Sequence, residues 1–224
     1  MLKKMISLVA ALGFLTSVTT VSSFADGADS HSGVYFGVTG SAVGIEMDGK
    51  ESVAGGTNAN STTGTAGKFA LIGGGELGWS FAMGDTWLID LGYSMVPGEA
   101  KLKADASDST DSDATMTIDN YQTFYIAPTF AVSDSAALYF KYGYTEADVS
   151  VTGDITNPSD LEGDTLAIGS RTQFASGLYV RTEAGYTEFD GISAKGKGTN
   201  IATTTTYNAD PTAAYGSVTL GFKF

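Results

Sequence analysis

The feature that most constrains this chain is a period-two alternation of apolar and polar residues that recurs in eight segments. Side chains of a β-strand point to opposite faces in turn, so each segment predicts a strand with one apolar face and one wet face. In the last segment the apolar positions are Val218, Leu220, Phe222 and Phe224. The predicted strands cover residues 33–43, 68–82, 86–96, 118–132, 136–145, 165–174, 178–189 and 213–224.

The connections between these segments alternate in length. Short connections follow the second, fourth and sixth strands, at residues 83–85, 133–135 and 175–177. Long polar connections lie near residues 47–67, 97–117, 146–164 and 190–212. Tight periplasmic turns and longer external loops are typical of barrels that span the outer membrane, and an even strand number closes such a ring without an edge. The predicted fold class is all-β, an eight-stranded antiparallel transmembrane up-and-down β-barrel.

The first residues predict export. Lys3 and Lys4 form a positive start, residues 6–18 form a short apolar run, and Ser23 and Ala25 are the small residues before a cleavage site. The alternative is an anchoring helix, but the apolar run is shorter than the roughly 20 residues of a membrane span. We therefore expect residues 1–25 to be a cleaved secretory signal peptide and residues 26–224 to form the barrel domain.

Composition narrows the function classes. The formal charge of −13 becomes −15 without the signal peptide, because two lysines and no acids leave with it. An acidic chain of this kind argues against nucleic-acid binding, which favours a basic surface. The chain contains no cysteine, so its stability in an oxidising compartment must come from something other than disulfides, and a closed hydrogen-bonded barrel needs none.

The polar face of the strands carries charges that predict a network in the barrel interior. An eight-stranded barrel is about wide enough to be filled by side chains. Our hypothesis is that an acidic pair and a basic pair meet across the lumen and that a further lysine and glutamate join them; independently hydrated side chains are the alternative. The residues of this predicted lumen charge network are Glu76, Asp90, Lys141, Arg171, Arg181 and Glu183.

The apolar face carries whole aromatic rings and predicts an aromatic girdle where the membrane meets water. A soluble lipocalin-like barrel is the alternative, with its apolar face inside. With the charged face inside, a barrel in water would bury six charges and expose an aromatic-rich surface, which is costly unless the charges pair. The predicted girdle comprises Trp79, Phe81, Trp87, Tyr93, Tyr144, Tyr186, Phe222 and Phe224.

With its signal peptide, eight alternating strands, short turns and terminal aromatic residue, the chain resembles the small outer-membrane barrels: the OmpA transmembrane domain, the OmpX-like proteins and the opacity-type porin-like proteins. The resemblance implies residence in the cell outer membrane, contact with its lipid, and delivery through the barrel-assembly machinery by the C-terminal strand. We expect a monomer. OmpA-type proteins carry a peptidoglycan-binding domain after the barrel, and no such attachment is carried over to these residues.

Two functional hypotheses fit the predicted fold. The first hypothesis is a structural or surface-interaction role, in which four long external loops contact an unknown external ligand above a plugged lumen. The alternative is a narrow porin-like channel for small solutes or ions. We expect no enzyme, no cofactor and no metal: His31 is the only histidine and no G-x-S-x-G turn occurs. The acidic run 108–113 could offer oxygens to Ca²⁺, but it lacks the spacing of an EF-hand loop.

Overall fold

The structure, a computed structural model, describes residues 27–53, 61–104, 114–198 and 201–224. The predicted signal peptide and the acidic run 108–113 lie outside the described residues. One short helix and ten strands follow in chain order: α1 (Gly27–His31), β1 (Gly33–Val53), β2 (Ser61–Ala82), β3 (Trp87–Val96), β4 (Ala100–Ala104), β5 (Ala114–Ser133), β6 (Ala136–Thr152), β7 (Leu161–Gln173), β8 (Leu178–Phe189), β9 (Ile192–Lys195) and β10 (Thr205–Lys223).

Eight of these strands close into a ring. Each of the strands β1, β2, β3, β5, β6, β7, β8 and β10 pairs antiparallel with the next, and β10 returns to β1. The closing pair runs from Tyr35 opposite Lys223 to Val53 opposite Thr205. Strand β4 adds to β5 and strand β9 adds to β10. Where the ladders run, closure satisfies the backbone groups of the strands without water, which lipid requires.

The strands are longer than the sequence predicts, and this corrects the predicted loops. Strand β1 runs to Val53 and β2 begins at Ser61, so most of the predicted loop 47–67 is a β-hairpin. Strand β6 likewise runs to Thr152, and β10 begins at Thr205. The start of β2 is rich in Thr, Ser and Gly and lacks apolar alternation, yet backbone pairing continues through it. The end of β6 instead keeps an inward apolar face, at Ala147, Val149 and Val151. The long connections are therefore much shorter than predicted.

The ladder between β2 and β3 is the shortest in the ring. It ends at Gly75 opposite Met95, although β2 continues to Ser61. Beyond that point β4 pairs with β5, and the described residues show no pairing of β4 with β2. Strand β5 is irregular at the same level, where Asn120 has a positive φ of 50°. The sequence does not predict this seam.

The short helix α1 lies at the end of the barrel that carries the short turns. Its Ala28 is fully buried against Leu88 and Ala131. The amide of Ala28 donates to the carbonyl of Asp85 at 2.9 Å. The sequence does not predict this element, because five residues are too few to show a helical period. No helix among the described residues is long and apolar enough to cross a membrane.

The two faces of the ring differ as the alternation predicts. Outward apolar side chains are exposed over the middle of the barrel, among them Leu71 and Val38, while inward residues such as Asp90 and Thr129 are inaccessible. An apolar exterior of this extent is stable in lipid rather than in water. A closed antiparallel ring with such an exterior is the architecture of outer-membrane proteins. The predicted fold class and outer-membrane localisation are therefore confirmed, and the lipocalin-like alternative is wrong.

Candidate functional site

The inward charges form one layer across the barrel, which we call the charge layer: Glu76, Asp90, Lys141, Arg171, Arg181 and Glu183. Its centre is Arg181, on β8. The guanidinium donates from Nη1 to Glu76 Oε2 at 2.8 Å and from Nη2 to Asp90 Oδ2 at 3.0 Å. Arg181 is only 2% exposed. One buried cation therefore joins strands on opposite sides of the ring.

The second arginine of the layer uses the same aspartate. Arg171 Nη1 lies 3.2 Å from Asp90 Oδ2, and its Nη2 donates to the carbonyl of His31 at 3.3 Å. The hydroxyl of Ser80 donates to Asp90 Oδ1 from the facing position on β2. Asp90 is fully buried. Asp90 therefore binds two guanidinium groups, and Arg171 connects the charge layer to α1.

A second ion pair adjoins this group. Lys141 Nζ donates to Glu183 Oε1 at 2.7 Å, and both side chains are almost inaccessible. The ammonium also lies 4.5 Å from the ring centroid of Tyr125, and the Arg181 guanidinium lies 4.7 Å from that of Tyr139. Cation–π contacts strengthen when they are desolvated. All six charges of the layer are thus placed against an opposite charge.

The registers show how the predicted pairs are arranged. Arg171 and Arg181 face each other directly across β7 and β8. Glu76 faces Ser94 rather than Asp90, so the two acids are linked through Arg181 and not by the fold of the hairpin. Across the ring, Arg171 binds the acid on β3, whereas Arg181 binds the acids on both β2 and β3.

Sequence reasoning missed the tyrosines that support the charges. Tyr179 donates to Glu76 Oε1 at 2.9 Å, and Tyr139 and Tyr215 donate to Glu183 at 2.8 and 2.7 Å. Tyr35 and Tyr125 share a hydrogen bond of 3.0 Å beside Arg181. These hydroxyls satisfy carboxylate oxygens that the cations leave free, as a buried polar layer requires.

Each of these tyrosines lies opposite a glycine on the neighbouring strand. A Cβ added to any of the five glycines would overlap the facing ring. A tyrosine ring laid over a glycine is a known way to fill the space that the missing side chain leaves. This cross-strand spacing is the signal that could have identified the tyrosines. The pairs are Tyr35–Gly78, Tyr125–Gly92, Tyr139–Gly169, Tyr179–Gly221 and Tyr215–Gly185.

Above the charge layer lies a row of hydroxyls, the hydroxyl layer. It runs across four strands from Thr123 to Thr145, Thr165 and Thr187, with oxygen–oxygen distances of 2.9, 2.6 and 2.7 Å. The Tyr121 hydroxyl lies 3.1 Å from Thr187 Oγ1, at the end of this row. Beyond it the inward residues become apolar and form the outer apolar cluster: Met47, Ile118, Ala147, Val149, Val151, Leu161, Phe189, Ile192 and Ala213.

The eight predicted girdle residues lie on the outside of the ring. Trp79 stacks on Phe81 with ring centroids 4.8 Å apart, and Phe222 contacts Phe224 at 5.1 Å. These four rings and Trp87 lie toward the short turns. The tyrosines of the set, Tyr93, Tyr144 and Tyr186, lie further along the strands, and Tyr144 donates to Glu162 at 2.8 Å.

His31 is buried at the end of α1, where its Nε2 donates to the carbonyl of Ser133 at 2.9 Å. Burial, and secondarily the charge of Arg171, lowers its pKa from 6.5 to about 4. The imidazole is therefore neutral in the folded chain at neutral pH. Its contribution to stability is fully present above pH 6.5, is lost as the pH falls toward 4, and changes little below that.

We expect acidification from pH 7 to pH 4 to weaken the packing of α1, by up to about 3 kcal/mol for the full pKa difference. His31→Gln retains a side-chain donor and cannot be protonated, so the variant should lose this part of the pH dependence. Urea unfolding of both proteins at several pH values measures the difference in slope. Equal slopes would contradict a neutral buried His31.

Metal ligands do not converge in the part of the chain that the structure describes: no group of three or more His, Asp or Glu side chains is placed to hold an ion. The charge layer instead pairs its acids with cations. What the arrangement can do chemically is bridge the lumen and fix the relative positions of the strands.

Comparison with protein-family models gives no match, and comparison with curated proteins gives none. Solved structures do match. The outer membrane protein OprG from Pseudomonas aeruginosa is 12% identical with a TM-score of 0.52, over 86% of this chain and 97% of OprG. This likeness supports the fold alone.

Two further matches have lower TM-scores. The outer membrane protease OmpT from Escherichia coli is 10% identical with a TM-score of 0.47, over 86% of this chain and 97% of OmpT. Ail, the attachment invasion locus protein of Yersinia pestis, is 12% identical with a TM-score of 0.39, over 84% of this chain and 99% of Ail. We base no argument on either.

Proposed function

We propose that this protein is a closed outer-membrane barrel, which blocks solutes along its axis and makes its specific contacts at the outer end, opposite the short turns. The observation that carries the proposal is the place of Arg181 in the charge layer. A buried guanidinium that binds Glu76 and Asp90 from across the ring leaves little room for a water-filled path. Separating the guanidinium from these acids would leave buried charge unpaired, so the layer resists opening.

Two further features support a closed barrel. At the short-turn end, α1 is held by Lys223, whose Nζ donates to the carbonyls of Ser30 and Ser32 at 2.6 and 2.8 Å. At the other end, the outer apolar cluster fills the interior between β5 and β10. Three successive layers of different chemistry thus occupy the axis of the barrel. Eight-stranded barrels commonly have interiors just wide enough to be filled in this way.

The proposed membrane position follows from the outward rings. We place the lipid between the level of Trp79, Trp87 and Phe224 and the level of Tyr144 and Tyr186, which together act as the aromatic girdle. Acids begin beside the upper level, at Glu162 and Asp164, which face outward and are exposed. Carboxylates there belong at the water interface, since charges at the bilayer centre are costly on a lipid-facing strand.

The outer end is where we place the specific function. Strands β1, β2, β6 and β10 continue past the tyrosine level and carry their connections away from the lipid. The proposed role is therefore structural or surface-interacting, and the outer end contacts an external ligand. The ring closes within one chain, which supports a monomer, and the C-terminal strand β10 is the proposed signal to the barrel-assembly machinery. We propose no enzymatic activity, because His31 is buried and bound to a backbone carbonyl.

Single-channel recording tests the closed barrel. We expect the refolded protein in a planar bilayer to show no discrete openings, while a general porin in the same bilayer does. Heat-modifiable gel mobility establishes that the inserted protein is folded. Discrete openings that change in size with Arg181→Met would overturn the proposal and support the narrow porin-like channel instead.

A further inference from the structure

The interior is not filled evenly. Between the charge layer and the outer apolar cluster lies a cavity of about 110 Å³, which we call the outer chamber. Its floor is formed by the upper atoms of Glu76, Lys141, Arg181 and Glu183. Its walls are mostly apolar and include Val43, Ile45, Ile72, Val96, Ile118 and Ala213.

Along a single strand, the inward side chains change from polar near the floor to apolar further out. The apolar ones form these walls. On β1 the inward residues near the floor are Thr39 and Ser41, and those above them are Val43 and Ile45. The lumen of a barrel that carries water is polar. An apolar cavity tends to stay dry and to accept an apolar guest, as a cavity of roughly 150 Å³ does for benzene.

The chamber reaches the wall of the barrel at the seam between β2 and β3. Its lining includes Gly74 on one side of the seam and Gly98, Glu99 and Ala100 on the other. The β2–β3 ladder ends beside them at Gly75 opposite Met95. Because no ladder among the described residues ties β2 to the chain beyond that point, the seam is the weakest part of the wall around the chamber.

We propose that the outer chamber binds a small neutral apolar molecule of no more than one ring, with one hydrogen-bonding group directed at the floor. The apolar walls supply the affinity, and the Tyr215 hydroxyl and the Glu183 carboxylate supply polar partners for that group. Sites for small molecules commonly combine an apolar lining with few polar groups. The binding does not depend on whether the lumen conducts.

The isoleucines of the chain provide the test. Ile45, Ile72 and Ile118 line the chamber, whereas Ile126 and Ile168 are exposed on the outside of the ring. We would titrate the refolded, methyl-labelled protein with phenol and follow the isoleucine methyl resonances. The expected result is a saturable shift of the three chamber methyls, with the two outside methyls unchanged. Equal shifts of both sets would show partitioning into the detergent and overturn the site.

A variant that fills the chamber with a larger side chain tests the site without assigned methyl resonances. Ser217 lines the chamber and faces Ser41 across β10 and β1. Ser217→Leu should weaken phenol binding by at least about tenfold, because the new side chain occupies the guest's volume. Val218→Leu, at the next and outward-facing position, is the matched control and should bind as the original does. If Ser217→Leu does not fold, Ser41→Leu fills the same space from β1. Unchanged binding in a folded filling variant would contradict the proposal.

Discussion

Asp90→Asn should lower the free energy of unfolding by roughly 3–5 kcal/mol, the cost of leaving buried charge without its partner. The substitution keeps the size of the side chain and removes only its charge. Arg171 and Arg181, which face each other across two strands, would then share no carboxylate. Glu76 would still bind Arg181, but Arg171 would retain only Ser80 and the carbonyl of His31.

Urea unfolding in lipid or detergent, followed by the fluorescence of the two tryptophans and by heat-modifiable mobility, measures this loss. Asp134→Asn, the same change at an exposed turn position, is the control and should stay within about 0.5 kcal/mol of the original. Adding Arg171→Met to Asp90→Asn should restore part of the stability, since Arg181 keeps Glu76. A double variant as unstable as the sum of both single changes would mean that the layer is not a coupled network.

Gly169→Ala should lower the free energy of unfolding by about 3 kcal/mol, the upper end of the usual range for overpacking substitutions. The added methyl would overlap both the Tyr139 ring and the backbone carbonyl of Thr182, which cannot move aside together. Displacing the ring would also break the 2.8 Å bond from the Tyr139 hydroxyl to Glu183. The effect therefore combines overpacking with the loss of a buried hydrogen bond.

Gly40→Ala is the matched control, on β1, where an added Cβ meets no heavy atom within 4 Å. There the methyl should leave stability unchanged or raise it by up to about 1 kcal/mol, because it restricts the unfolded chain. The same unfolding measurement serves both variants. If the two alanines gave equal changes, the tyrosine rings would not be packed against their glycines.

The extent of the strands shows where sequence patterning stops. Alternation identifies β8 at its observed bounds, because one face meets lipid and the other the lumen. It fails for residues 48–53 of β1 and for the start of β2, where both faces of the hairpin are mostly polar and no apolar period is needed. Those strands are extended by backbone hydrogen bonds alone. Such bonds do not require a particular pattern of residues in either strand.

The charge layer likewise has features that sequence patterning predicts and features that it does not. The parity of Glu76, Asp90 and Arg181 within their strands predicts that they point inward, since a strand has a period of two. Their partners depend on the register and tilt of strands that are distant in sequence. Arg181 reaches Glu76 across 105 residues, a contact that only ring closure creates.

The sequence by itself therefore determined the all-β barrel, its eight ring strands, the short turns and the inward position of the charges, because these depend on the period of single strands and on the residues between them. The tertiary structure decided which cation holds which acid, that tyrosines lie over glycines, that α1 packs at the short-turn end, and that a seam beside β2 borders an apolar chamber. These features depend on stagger between strands and on the space that remains after closure, and neither is a local property of the chain.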